Sequence, residues 1–243
     1  MEIKPVSLVL ADISGYTKFI QEHRNALLHA EQIVTELLEA IVDTAEYPLR
    51  LNKLEGDAVL LYTPVKGQDV AVAKDVAEQT LRFFQAFYRK QFNLIDAGEG
   101  GCACIACTNI HQLKIKIIAH QGEAVVKRFR QFEELAGEDV ILIHRLLKNS
   151  LAAREYLMMT EHFHRLSGGL QGLKAEVHTE EYEGIGEIKT TVFYPTIAMP
   201  PPVLSEIPRM SLSSGKRESM RLQFKSMLRR LFKGGRQFRN LTG

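Results

Sequence analysis

Leu10-Ala11-Asp12-Ile13-Ser14-Gly15-Tyr16-Thr17 closes an apolar run that begins at Val6, and the fold turns on how this stretch is read. The run from Val6 to Leu10 suits a strand buried on both faces, and from Ile20 to Ile41 the apolar spacing becomes helical. Asp12 is therefore expected at the carboxyl end of a strand, facing a helix start. Backbone N–H groups around Ser14 to Thr17 would attract phosphate oxygens there, and Gly15 lets a ligand approach closely. A second stretch, Lys53-Leu54-Glu55-Gly56-Asp57-Ala58, lies between the apolar segments Arg50 to Leu54 and Ala58 to Tyr62. It reads as a hairpin whose tight turn holds Asp57 beside Asp12 in a neighbouring strand. Two carboxylates and a backbone carbonyl, that of Ile13, suit Mg²⁺ or Mn²⁺ bound with substrate phosphates. Taken singly, each aspartate also reads as a turn residue or a helix cap.

The rest of the first two hundred residues alternates in kind. Ala73, Val76, Ala77, Thr80, Phe84 and Phe87 recur at helical spacing, so a helix is expected from Asp69 to about Phe92, before the glycine-rich turn at Gly98 to Gly101. Leu113 to Ala119 and Ala124 to Phe129 read as two strands on either side of Gly122, and Val140 to Leu151 as a helix. Lys174 to Tyr182 and Ile188 to Tyr194 read as a closing hairpin. Alternation of this kind predicts an α/β (α+β) sandwich, a mixed sheet covered by helices.

Of the 243 residues, 45% are hydrophobic and 25% charged, which excludes a disordered chain and fits one substantial domain with an appendage. No apolar run approaches the roughly 20 residues that span a bilayer, and the start lacks the pattern of a signal peptide. A cytoplasmic protein is expected. The net charge of +2 conceals an asymmetry, because Arg209 to Gly243 carry +9 and the preceding residues −7. Met220, Phe224, Met227, Leu228 and Leu231 share one helical face of this segment, with Arg217, Arg221, Lys225 and Arg229 on another. That is the pattern of a basic amphipathic helix for an anionic membrane surface or an acidic partner; nucleic acid explains the charge but not the apolar stripe. Contact with the domain's own acidic surface is the plainer reading. Cys102, Cys104 and Cys107, with His111 four residues beyond, have a spacing that could wrap one zinc ion, or are three small, partly buried thiols.

Asp12-Ile13-Ser14-Gly15-Tyr16-Thr17, followed by Lys53, Gly56 and Asp57, resembles the signature motifs of the class III nucleotidyl cyclases, the adenylate and guanylate cyclase family. Ile118-Ala119-His120-Gln121-Gly122-Glu123 and the segment from Gly137 to Arg145 resemble a third region of that family, in the family's order. The resemblance implies a ferredoxin-like core of order βααββαβ in a cyclase-like domain at 1–198, while composition and charge mark a Pro/Ser-rich linker at 199–216 and a basic tail at 217–243. It implies a head-to-tail homodimer that takes a purine nucleoside triphosphate. In it Asp12, Asp57 and the Ile13 carbonyl would hold two metal ions and Gly15, Tyr16 and Thr17 would face the phosphates. Lys53 and Glu134 would read the base, and Arg145 would stabilise the transferring phosphoryl group from the other subunit. A family lysine that contacts phosphate has a counterpart in Lys189, though the spacing there is shorter than the family's and a solvated strand residue is the plainer reading. Where the family places an asparagine that orients the ribose, this chain has Ile141. The sequence therefore leaves two expectations open: an enzyme forming a 3′,5′-cyclic nucleotide and pyrophosphate, or an inactive nucleotide-responsive module of the same fold.

Overall fold

The computed structural model describes residues 1–66, 70–95, 105–130 and 132–195. Its order is β1 (Glu2–Ser14), α1 (Tyr16–Glu22), α2 (Leu27–Thr44), β2 (Arg50–Glu55), β3 (Ala58–Pro64), α3 (Val70–Ile95), α4 (Ile105–Asn109), β4 (Lys114–Phe129), β5 (Phe132–Ala136), α5 (Glu138–Leu146), β6 (Tyr156–Thr160), α6 (Glu161–Ser167), β7 (Ala175–Tyr182) and β8 (Gly186–Phe193). The strands form one mixed sheet in the order β2-β3-β1-β4-β6-β8-β7, with β5 paired to the far end of β4. The expected βααββαβ order holds from β1 to β4 apart from the short helix α4, inserted between α3 and β4.

Strand alternation divides the core in two. Odd residues of β1 (Val9, Ala11, Ile13) face α1, α2, α3, α4 and α6, where Ile33, Leu37, Ile41, Phe83, Phe84 and Phe87 pack. Each fully buried phenylalanine contributes about 1.5–3 kcal/mol relative to exposure. Even residues (Val6, Leu8, Leu10) face α5, against Val140, Ile143 and Leu146. Among the described residues only one short helix, α5, covers this second face, and the sheet beyond it stays open as a cleft.

Three expectations differ from what is observed. The helix expected through Ile20 to Ile41 breaks, because buried His23 folds back with Nδ1 2.6 Å from the Phe19 carbonyl and its ring 4.6 Å from that of Phe19. The two strands expected around Gly122 are one 16-residue strand, β4, which runs straight through the glycine. The helix expected to reach Leu151 ends at Leu146. The linker, the basic tail, Cys102 and Cys104 lie outside the described residues.

Candidate functional site

The sheet register gathers the polar residues of the open face. Asp12 continues the even series of β1 and lies directly opposite Lys116 on β4. Lys53 and Glu55 pair across to Leu60 and Ala58, whose side chains lie in the α5-side core, so they share that face. Asp57 follows at the hairpin tip, where its carbonyl accepts the Ile13 N–H at 3.0 Å. That bond ties the two aspartate-bearing segments together. The resulting cleft, about 1040 Å³, is lined by six cations (Lys18, Lys53, Lys116, Arg145, Lys148 and Arg154) and three carboxylates (Asp12, Glu55 and Asp57). The positive excess suits a polyanion.

Burial pushes the Asp12 carboxyl above the usual carboxylate range, and the Lys116 ammonium, 3.1 Å away, only partly offsets it. Lys116 is braced from behind by the Leu147 carbonyl at 3.1 Å. The Asp57 carboxyl is also raised, first by burial and then by the neighbouring Asp12 charge. Two carboxylates that resist ionisation side by side create a demand for a cation. Their oxygen-only donor set fits Mg²⁺ or Mn²⁺, and no cluster of three His, Cys, Asp or Glu side chains forms among the described residues. Two carboxylates alone would leave most positions of an octahedral ion to other oxygen ligands. Ile13 buries its side chain in the core, so only its backbone is available to the site.

At the loop between β1 and α1, Gly15 has φ 93°, and a Cβ there would collide with Arg154 Nη2. Arg154 is fixed beside the loop by the Gln112 carbonyl at 3.0 Å. Tyr16 lines the cleft, but its hydroxyl donates to Glu31 at 2.8 Å, and this bond leads the causes that push it to about 12. Thr17 is exposed and lines the cleft. Ile141 (54% exposed) and Arg145 lie one turn apart on α5, with Arg145 Nη1 3.4 Å from the Glu183 carbonyl.

Three expected residues are not brought to the cleft. Glu134 alternates with buried Leu135, so its side chain leaves on the opposite face and pairs with Lys127 at 3.1 Å. Lys189 is exposed on β8. Cys107 sits on α4 against His29, with Nε2 3.0 Å from Sγ, on the far side of the sheet. Conversely, the sequence reading gives no role to Lys116, Glu55, His144, Lys148 or Arg154. Only strand register and tertiary packing bring these together.

The His120-Gln121-Gly122 segment acts on α5. Asp139 near the start of that helix receives the Glu123 N–H at 2.6 Å and lies 2.8 Å from His120 Nε2, whose other nitrogen meets Thr160 at 2.9 Å. The His120 bond, then that of Glu123, outweigh burial and hold the Asp139 carboxyl below its usual range. A Cβ at Gly122 would collide with the Asp139 carboxylate, which both partners hold in place. Gly122→Ala should therefore displace the start of α5 and cost about 1–3 kcal/mol. Thermal unfolding checks this, with a melting temperature several degrees lower as the expected result.

A family model described as "Protein of unknown function (DUF2652)" matches residues 34–156. The chain is 35% identical over 171 residues to "Uncharacterized protein Rv2561/Rv2562" of Mycobacterium tuberculosis, covering 70% of this chain and 77% of that protein. Among solved structures it resembles the adenylyl cyclase CyaB from P. aeruginosa (TM-score 0.62, 15% identity, 81% of this chain and 97% of that one). It also resembles the guanylate cyclase domain of RhGC from Catenaria anguillulae in complex with GTP (TM-score 0.53, 16% identity, 79% and 98%). At these identities the likeness is one of fold. The matching family model spans half of the chain, so the chain, which has the fold of adenylyl and guanylyl cyclase domains, belongs to the DUF2652 family.

Proposed function

We propose that the cleft binds a purine nucleoside triphosphate together with Mg²⁺ or Mn²⁺, and that the chain is a cyclase-like protein of slow turnover. The observation that carries this reading is the meeting of Asp12 and Asp57, both raised by burial, on a cleft otherwise rich in cations. Asp12, Asp57 and the Ile13 backbone would hold the divalent ion. When bound, such an ion neutralises phosphate charge and lowers the pKa of a coordinated hydroxyl. The chain's own residues would supply the rest: Lys116 and Arg154 would meet phosphate oxygens, Lys53 would meet the base, and Arg145 would reach across a dimer to the charge developing at the partner's site. In the reaction the ribose 3′-oxygen loses its proton and bonds to the α-phosphorus, and the bond from that phosphorus to the bridging oxygen breaks to release pyrophosphate. A head-to-tail homodimer, with Arg145 serving the partner's aspartates, belongs to the same proposal.

A second reading, a nucleotide-binding module without turnover, is favoured by Ile141, an apolar residue on the cleft wall with no group to orient a ribose. Calorimetric titration with ATP and GTP in the presence and absence of Mn²⁺, followed by product identification, tests both. Metal-dependent binding with slow formation of a 3′,5′-cyclic nucleotide is expected. Binding without cyclic product selects the second reading, and no metal-dependent binding removes both.

A further inference from the structure

The base end of this cleft already holds an acceptor beside its donor. Lys53 and Glu55 alternate onto one face of β2, and Lys53 Nζ lies 2.5 Å from Glu55 Oε1. The second carboxylate oxygen lies 2.7 Å from His144 Nε2, while His144 Nδ1 lies 2.6 Å from the Val140 carbonyl. Both of the histidine's partners are acceptors, so its ring bridges the Glu55 carboxylate to the backbone of α5. Glu55 is thus clamped between the hairpin and α5, and each of its oxygens keeps a lone pair to offer. All three residues line the cleft, whereas Glu134 points away from it to Lys127.

The chemistry of a base edge makes this pairing meaningful. Adenine sets the N1 acceptor beside an amino donor; guanine sets a carbonyl acceptor beside N–H donors. A lysine can only donate, so alone it leaves the donor of either base unpaired. A carboxylate next to it accepts one amino N–H from adenine but two parallel N–H groups from guanine, so removing it costs the guanine nucleotide more. We infer that Glu55, held by His144, is the acceptor that reads the base edge beside Lys53, and that Glu134 takes no part. This rests on the triphosphate reading above.

The test uses the full chain with Mn²⁺ and the α,β-methylene analogues of ATP and GTP, which bind without turnover, in calorimetric titration. Glu55→Met keeps the side chain's length without its acceptors, and Glu55→Ala is the second variant should either fail to fold. In either, the ratio of the two affinities is expected to change by about 10-fold or more, while Glu134→Ala leaves it within about 2-fold. His144→Gln, whose amide still donates, should keep the wild-type ratio, and His144→Ala should move it in the same direction as Glu55→Met. If Glu55 only braced the hairpin, its removal would lower both affinities equally, and that result overturns the inference. A ratio governed by Glu134 overturns it as well. Wild-type binding with a ratio unmoved at Glu55 removes this inference alone, whereas no binding of either analogue removes it along with the triphosphate reading.

Discussion

Asp57→Asn is expected to raise the thermal stability of the metal-free protein and to abolish its metal-dependent binding of nucleoside triphosphate. The two effects have one cause. Burial and the Asp12 charge hold the Asp57 carboxyl above its ordinary value, so the folded chain binds a proton more readily than the unfolded one. Stability from this group is present in full below the unfolded value of about 3.8 and is lost as pH rises through the folded value. At neutral pH the ionised aspartate is therefore a cost, which asparagine, of nearly the same shape, removes. A melting temperature higher by a few degrees at pH 7, with the gain vanishing at pH 3, is the expected scan. Binding should fall at the same time by at least about 100-fold, the upper range for losing even an outer-sphere metal partner. Asp12→Asn should act in the same direction but by less, because the Lys116 ammonium offsets part of the cost of burying the Asp12 charge. Equal melting temperatures across all three proteins, with metal-dependent binding intact, would show that this aspartate pair holds no cation.

The residues legible in the sequence are those whose role is local. Asp12 and Asp57 each end an apolar run beside a glycine, and a strand end followed by a turn is a short-range pattern that survives into the fold. The closing hairpin of β7 and β8 is legible for the same reason. What the sequence does not show depends on partners far away in the chain. Lys116 reads as one polar residue in an alternating strand until the register places it opposite Asp12, 104 positions earlier. Glu55 lies inside the second motif, yet its meeting with His144 requires α5 to cross the sheet. Motif spacing misplaces Glu134 because it counts residues, whereas strand alternation decides the face: one step along β5 from buried Leu135 turns it outward. Gly122 reads as a break between strands because a glycine in an apolar run usually marks a turn. Here the missing side chain makes room for the Asp139 carboxylate, a reason invisible until α5 is docked.

Ile141→Asn is expected to raise the rate of cyclic nucleotide formation by about 10-fold or more, because it supplies the cleft with an orienting group that the wild type lacks. The position is well suited to the change. Ile141 is 54% exposed, so the substitution leaves no cavity in either core, and isoleucine and asparagine have similar helix propensities. The start of that helix is pinned by Asp139 to His120 and to the Glu123 N–H, so the new amide would project from a fixed backbone one turn before Arg145. Positioning in a preorganised site acts on the reacting geometry more than on the ground state, so affinity for the triphosphate should change little while turnover rises. An unchanged rate with tighter binding would mean that the introduced asparagine meets the ribose only in the ground state. A wild type that already turns over rapidly, and slows when asparagine is introduced, would instead show that the ribose is oriented by another wall of the cleft. Lys148 and Arg154 are cationic groups lining the cleft that these variants leave untouched, and the next substitutions belong there.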